Sequence, residues 1–378
     1  MSKTIMNIYF YPVGNGDSAL VIDDKGKHLL VDYNCSKDAK QDKDERIHLE
    51  KELNKRLKKN NLDVLMISHA HEDHYNGFSD YFWLNHSKKY QEDGRKKINE
   101  LWVPDALIWE TGIKAEGKIL RAEARHRLLE EKKGIKIIGN SDSLKEFIND
   151  SGKVLYEKVS HLIFSPGEII NDFSGFDIFI HSPHSWKTED DENKNNKCIV
   201  FQADFKINSS SVAKVIFGGD AESDAWESIY SASINNKNLQ RLDFDVFKIS
   251  HHCSYTALNS EEKGDLITKP LEKVKKIFEE HSLDKCKLIA SCKKIPVKSK
   301  RNESGPPHYQ AAQYYKKVCS DNNGDFEVTM QQSIGKNCRK PISIEISKYG
   351  AKLATSTAVV IDASENEKVI RNRTERFG

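Results

Sequence analysis

Asp63-Val64-Leu65-Met66-Ile67-Ser68-His69-Ala70-His71-Glu72-Asp73-His74 is the stretch whose reading decides the fold. Residues 63–67 form a short, almost wholly apolar run, the mark of a strand buried on both faces. Four potential ligands, His69, His71, Asp73 and His74, then fall within six residues. A loop leaving a strand can turn alternate side chains inward, so His69 and His71 can share one ion. Asp73 and His74 sit one turn later and can face a neighbouring ion. Imidazole with carboxylate suits zinc, or manganese or iron where the oxygen share is larger. The plainer alternative is a charged surface loop with incidental histidines.

Two further apolar runs end in similar chemistry. Val215-Ile216-Phe217-Gly218-Gly219-Asp220 closes on an acid, and its glycines allow the backbone a close approach. Two metals need a bridge, and Asp220 with its two oxygens is the candidate. Taken alone, a Gly-Gly-Asp strand end is more often a turn. Phe247-Lys248-Ile249-Ser250-His251-His252-Cys253-Ser254 offers two more histidines. Three apolar runs that all end in ligand chemistry make a stronger case than any one of them.

Upstream, residues 5–11 are β-branched and aromatic, broken by Pro12 to Asp17, and runs at 18–22 and 28–31 flank an Asp/Gly turn. The chain therefore opens as an antiparallel hairpin. Residues 44–60 take helical spacing through Leu49, Leu53 and Leu57. The charged 80–160 segment, with helical stretches near 114–133 and 143–149, reads as an insertion or cap over one edge. Beyond it, strands are predicted at 177–180, 198–203, 213–217, 244–249, 288–290, 326–330 and 342–346. Helices are predicted at 222–231, 270–280 and 309–318. That order fits an α/β chain with two sheets between helices over residues 1–350, followed by a polar tail at 351–378.

Composition excludes several classes. With 38% hydrophobic residues, the 378-residue chain has enough material for a large core. Its 59 basic and 57 acidic side chains leave a net charge of +2, so any recognition of nucleic acid must come from a local patch. Seven scattered cysteines without a CxxC pair read as reduced thiols. No signal-peptide pattern or membrane-spanning run is present, and the cytoplasm is the expected address.

In order along the chain stand Val13-Gly14-Asn15-Gly16-Asp17-Ser18, Leu30-Val31-Asp32, Ser68 to Gly77, Gly219-Asp220-Ala221-Glu222, and Lys248 to Ser254. This series resembles the metallo-β-lactamase superfamily, and within it the soluble hydrolase domain of the ComEC competence-protein family. A later turn, Pro306-Pro307-His308, matches as well. The resemblance implies the αββα four-layer sandwich and two divalent transition metals, zinc first and manganese second. It implies His69, His71, Asp73, His74, Asp220 and His251 as ligands. His71 stands where the family usually has Asp, Cys253 replaces a glycine and Pro306 a histidine. The separate middle histidine has no clear counterpart; His181 and His184 are the nearest candidates.

Two metals would activate a bridging water and stabilise charge on a phosphoryl or acyl oxygen. Asp73 would orient that water, and His252, or His251 with the roles exchanged, would protonate the leaving oxygen. Asp32 reads either as an acceptor fixing a ligand histidine or as a strand-end cap. Lys293, Lys294, Lys298, Lys300 and Arg301 lie between a strand end and His308. If His308 reaches the site, Lys293 and Lys294 bind substrate at its rim; otherwise the cluster is a solvated loop. The expected function is hydrolysis of a phosphodiester in DNA, RNA or a nucleotide. Acyl (thioester or lactone) hydrolysis on the same metals, or a non-catalytic metal-binding role in an assembly, are the alternatives.

Overall fold

The computed structural model describes residues 5–41, 44–57, 61–113, 115–183, 194–331 and 339–354. Two sheets organise them. The first opens antiparallel with Met6–Phe10, Ala19–Ile22 and His28–Val31. From His28–Val31 it turns parallel, through Asn61–Met66, Lys96–Pro104, Ile135–Ile138 and Ile163–Phe164. Its other edge comes from far along the chain: Ile342–Ser347 pairs with Met6–Phe10, and Gly350–Leu353 pairs with Ile342–Ser347. In the second sheet Ser210–Phe217, Phe244–Lys248, Ser282–Ala290 and Asp325–Val328 run parallel. Val200–Ile207, Phe176–Ser182 and Ile169–Ile170 continue it antiparallel.

Alternation along the strands creates three cores and hence four layers. Met6, Ile8, Phe10, Val21, Val64, Met66 and Trp102 face the second sheet, where Phe201, Phe205, Val215, Phe217 and Val246 meet them. The opposite face of the first sheet, with Leu20, Leu30, Leu65 and Leu101, is covered by Leu49 and Leu53 of helix Leu49–Arg56, Leu120 and Ala124 of Glu116–His126, and Leu144 and Ile148 of Asp142–Asp150. The outer face of the second sheet, with Val200, Ile216, Phe247 and Leu288, is covered by Ser223–Asn235, Glu272–Glu280 and Tyr309–Asp321. Strands Asn61–Met66, Ser210–Phe217 and Phe244–Lys248 all lead directly into the candidate ligand loops. Parallel α/β sheets offer their ligand sites at such carboxyl ends.

The 80–160 segment differs from its sequence reading. It has the expected helices, but Lys96–Pro104 and Ile135–Ile138 also extend the first sheet, with Leu101, Trp102, Val103, Ile137 and Ile138 buried. The strand was obscured because its charges are folded into the structure: Trp102 Nε1 donates to Glu100 at 2.9 Å, and Lys136 reaches Glu100 at 3.0 Å and Asp172 at 2.8 Å. Gly350–Leu353, expected as polar tail, is an edge strand. Residues from 355 onward, including the apolar Ala358 to Ile361, lie outside the described residues.

We propose that residues 1–350 behave as one domain. Limited proteolysis within 80–160 is expected to leave the fragments associated on gel filtration; a stable fragment ending near residue 160 and released alone would contradict this. Phe201 stacks on Phe217 at 4.7 Å in the inter-sheet core. Phe201→Ala should cost about 3–5 kcal/mol of unfolding free energy in denaturant titration.

Candidate metal centre

The Asp220 carboxylate is the meeting point. Its Oδ2 lies 3.6 Å from His69 Nε2, 3.4 Å from His74 Nε2 and 3.4 Å from His252 Nε2. Two ligand groups share it: His69, His71 and Asp220 on one side, and Asp73, His74, Asp220 and His252 on the other. His69 Nε2 is 3.0 Å from His71 Nδ1, and His252 Nε2 is 3.1 Å from Asp73 Oδ2. His69, His74, Asp220 and His252 are buried, while the Asp73 side chain stays 39% exposed and so faces solvent.

These residues fit a divalent metal. His74 Nε2 and Asp220 Oδ1 are buried with no hydrogen-bond partner among the described residues. A buried polar atom left unsatisfied is costly, and a cation between imidazole nitrogens and carboxylate oxygens removes that cost. The far nitrogens of the rings are already engaged. His74 Nδ1 is 2.8 Å from Asp32 Oδ2, and His252 Nδ1 donates to the Ser291 carbonyl at 3.0 Å. Asp32 also accepts from Ser68 N and Ser68 Oγ, both at 2.7 Å. Asp32 thus stands behind the cluster and fixes the orientation of the His74 ring.

The backbone is shaped for this convergence. A Cβ on Gly218 would lie 2.3 Å from Ser250 Oγ and 3.0 Å from the Lys248 carbonyl, so only glycine lets these strand ends close together. His251, His252 and Cys253 have φ of 48°, 50° and 63°, three successive non-glycine residues in the left-handed region. Each costs roughly 1–2 kcal/mol. The turn is tied by His251 N to Gly219 O at 3.1 Å, Ser254 N to His251 O at 2.8 Å and His308 N to Cys253 O at 3.0 Å.

That turn separates the two histidines, whose roles the sequence left exchangeable. His252 joins the cluster, whereas His251, expected as the ligand, directs Nδ1 to Glu222 Oε1 at 3.2 Å and Thr256 Oγ1 at 3.1 Å. Successive left-handed residues point their side chains apart, and only one can reach Asp220. His181 stands at the end of a buried strand with Nε2 3.0 Å from the Arg241 carbonyl, apart from the cluster. His184 lies outside the described residues.

His308 sits behind the same turn: Tyr255 N donates to its Nδ1 at 3.3 Å, and burial lowers its pKa to about 4. Asn15 joins the basic loop to the opening hairpin, donating to Pro306 O at 2.6 Å and accepting from Lys293 N at 2.9 Å. Lys293 is two residues beyond Ser291, the partner of His252, and its side chain is exposed. The charge of the cluster is partly spent locally. Lys294 lies 4.0 Å from Glu45, Lys300 pairs with Glu303 at 3.2 Å, and Arg301 with Asp265 at 3.0 Å.

Sequence reasoning assigned no role to Asp17, Lys248 or Glu222. Lys248 is 3% exposed and Asp17 4%, and the two form a direct ion pair; Lys248 Nζ also donates to Gly219 O at 3.1 Å. A lysine inside the apolar run Phe247-Lys248-Ile249 was the available signal, since a buried ammonium requires a buried partner.

No family model matches the chain, and no curated protein matches it. Solved structures that it is similar to include a mutant of the CmlA β-hydroxylase, at TM-score 0.40 and 12% identity over 85% of this chain and 52% of that one. Igni18, described as a novel metallo hydrolase from the hyperthermophilic archaeon Ignicoccus hospitalis KIN4/I, matches at 0.37 and 13% over 90% and 98%. A long form RNase Z from yeast matches at 0.38 and 13% over 98% and 44%. The chain spans about half the length of the first and less than half of the last. These are loose likenesses; the chain's own layers and strand ends define the class. Two mixed sheets face to face, helices outside, and a histidine–aspartate cluster on one edge are the metallo-β-lactamase fold. Among the described residues, no helix is long and apolar enough to cross a membrane.

Protonation of the cluster leads to a prediction. Burial, reinforced by His74, holds His69 well below the usual histidine range. For His252 burial is outweighed by Asp220 and Asp73, which lift it to about 10, and His74 is likewise raised, by Asp220 and Asp32. In the metal-free protein His74 and His252 therefore hold protons at neutral pH that a metal must displace. Metal affinity should rise with pH up to about 10, by up to about one log unit per pH unit for each proton released. Calorimetry in buffers of different ionisation enthalpy would show that release. Asp220→Ala should lower occupancy at both positions, measured by metal analysis.

Proposed function

We propose that the chain is a metal-dependent hydrolase of phosphodiesters, in DNA, RNA or a nucleotide, of the ComEC-like kind its motifs resemble. The observation that carries this is the shared carboxylate: Asp220 lies within 3.6 Å of three imidazole nitrogens from two other segments of the chain. His69, His71 and Asp220 would hold one divalent ion, zinc or manganese, and Asp73, His74, Asp220 and His252 another. Such a pair supplies a nucleophile at neutral pH and stabilises charge on a phosphoryl oxygen.

The remaining work falls to the chain. Asp73, the most solvent-facing carboxylate of the group, can orient incoming water. Asp32 and the Ser291 carbonyl fix the rings of His74 and His252, so that their other nitrogens face Asp220. His251 takes the acid role: Glu222 and Thr256 engage its Nδ1, which leaves Nε2 to donate to the leaving oxygen. His308 accepts at Nδ1 and stays neutral, so its Nε2–H can donate to a substrate oxygen without adding charge. Lys293 at the rim attracts phosphate, and Lys294 adds to it more weakly because Glu45 lies 4.0 Å away.

Turnover of bis-p-nitrophenyl phosphate, with none on p-nitrophenyl acyl esters or lactones, is the expected outcome. The reverse pattern would establish the acyl reading, and metal content without turnover on either panel the non-catalytic one. Glu222→Gln should keep its metal and turn over bis-p-nitrophenyl phosphate almost normally, because nitrophenolate leaves without a proton. On DNA, whose leaving alkoxide needs one, kcat should fall by about 10²-fold or more. Replacing Lys293 and Lys294 by Gln should weaken polynucleotide binding and flatten its salt dependence, by about one log–log unit for each phosphate no longer neutralised. Small-substrate turnover in that variant should be unchanged.

A further inference from the structure

Beneath the two ligand groups lies a third set of acidic and imidazole side chains, Asp17, Asp32 and His74, close enough together to hold an ion. All three are buried. Asp17 Oδ2 is 3.9 Å from His74 Nδ1, and Asp17 Oδ1 is 3.9 Å from His252 Nδ1. The ammonium of Lys248 is seated at this set, against Asp17 and 3.1 Å from the Gly219 carbonyl. A carboxylate and a carbonyl oxygen around one positive nitrogen are what a small cation takes from a protein. The neighbouring void, lined in part by Asp17, Asp32, Ser68, Lys248 and Ser291, has room for about one water-sized group.

Resting on the metal-centre reading above, we infer that Lys248 is a resident cation: its ammonium fills a third cation position, so the centre admits two exchangeable metals and no more. The charge logic supports this. Asp17, Asp32, Asp73 and Asp220 converge on a buried region, and Asp17 reaches neither metal group directly. Without a positive partner it would be a buried, uncompensated carboxylate beside the histidines that must present their lone pairs to metal. Lys248 supplies that charge from a strand, covalently, so it is not lost on chelation. It also joins the opening hairpin, through Asp17, to the second sheet, through Gly219, one residue before the bridging Asp220. Lys248 is a positioning residue.

The test uses the full chain with manganese as probe. Wild type should saturate at two equivalents by metal analysis. Lys248→Ala should take up a third, and its metal-free form should melt lower by on the order of 10 °C, with part of that loss recovered as manganese is added beyond two equivalents. Asp17→Asn/Lys248→Ala, which removes both charges, should return to two equivalents and regain most of the melting temperature. Lys248→Ala that binds two equivalents and melts like wild type would overturn the inference. If Lys248→Ala does not fold, the double variant decides: a folded double variant supports a charge role, and one that also fails shows that Lys248 acts by packing. Wild type that binds no manganese would defeat the metal-centre reading instead, a result distinct from any of these.

Discussion

Asp220 is a buried carboxylate at the end of one strand, and three imidazoles from two other segments point at one of its oxygens. An ionised carboxylate buried in this way is stable only where compensating charge is fixed around it. His74 and His252 provide that charge: burial alone would raise Asp220, yet their proximity holds it well below the usual carboxylate range. The demand is geometric as well as electrostatic. Asn61–Met66 lies in one sheet, and Ser210–Phe217 and Phe244–Lys248 in the other, so their ends meet only if the sheets pack at one distance and angle. The inter-sheet core of Phe10, Phe201, Phe217 and Val246 sets that packing.

The centre is costly to build and the rest of the fold offsets it. Three consecutive left-handed residues at 251–253, a buried lysine and four buried or half-buried carboxylates all work against stability. Backbone hydrogen bonds brace the segments around the centre. Ile199 N donates to Ser68 O at 2.8 Å, which bonds the two sheets to each other beside the ligand loop, and Ile249 N donates to Ile289 O at 2.8 Å. A site held this way keeps its ligands in place before metal arrives, which lowers the cost of reorganising them on binding.

Asn15 draws the 293–308 loop against the opening hairpin, while the Lys293 and Lys294 side chains stay exposed. Three of the five basic residues there have acidic neighbours, which makes the local field smaller than the bare count of lysines suggests.

The opening hairpin, the continuous apolar run into Ile67 and the ligand residues at three strand ends were legible in the chain, because each is a local pattern within one short segment. The strand Lys96–Pro104 was not, since Lys96, Lys97 and Glu100 interrupt its apolar pattern, and Glu100 meets Lys136 only once Ile135–Ile138 is paired beside it. The pairing of Lys248 with Asp17 was also hidden, as 231 positions separate the two along the chain. Which of His251 and His252 faces the cluster could be decided only by the folded turn. The two are identical in type and adjacent in sequence, and a left-handed backbone that the sequence does not announce sends one toward Asp220 and the other toward Glu222.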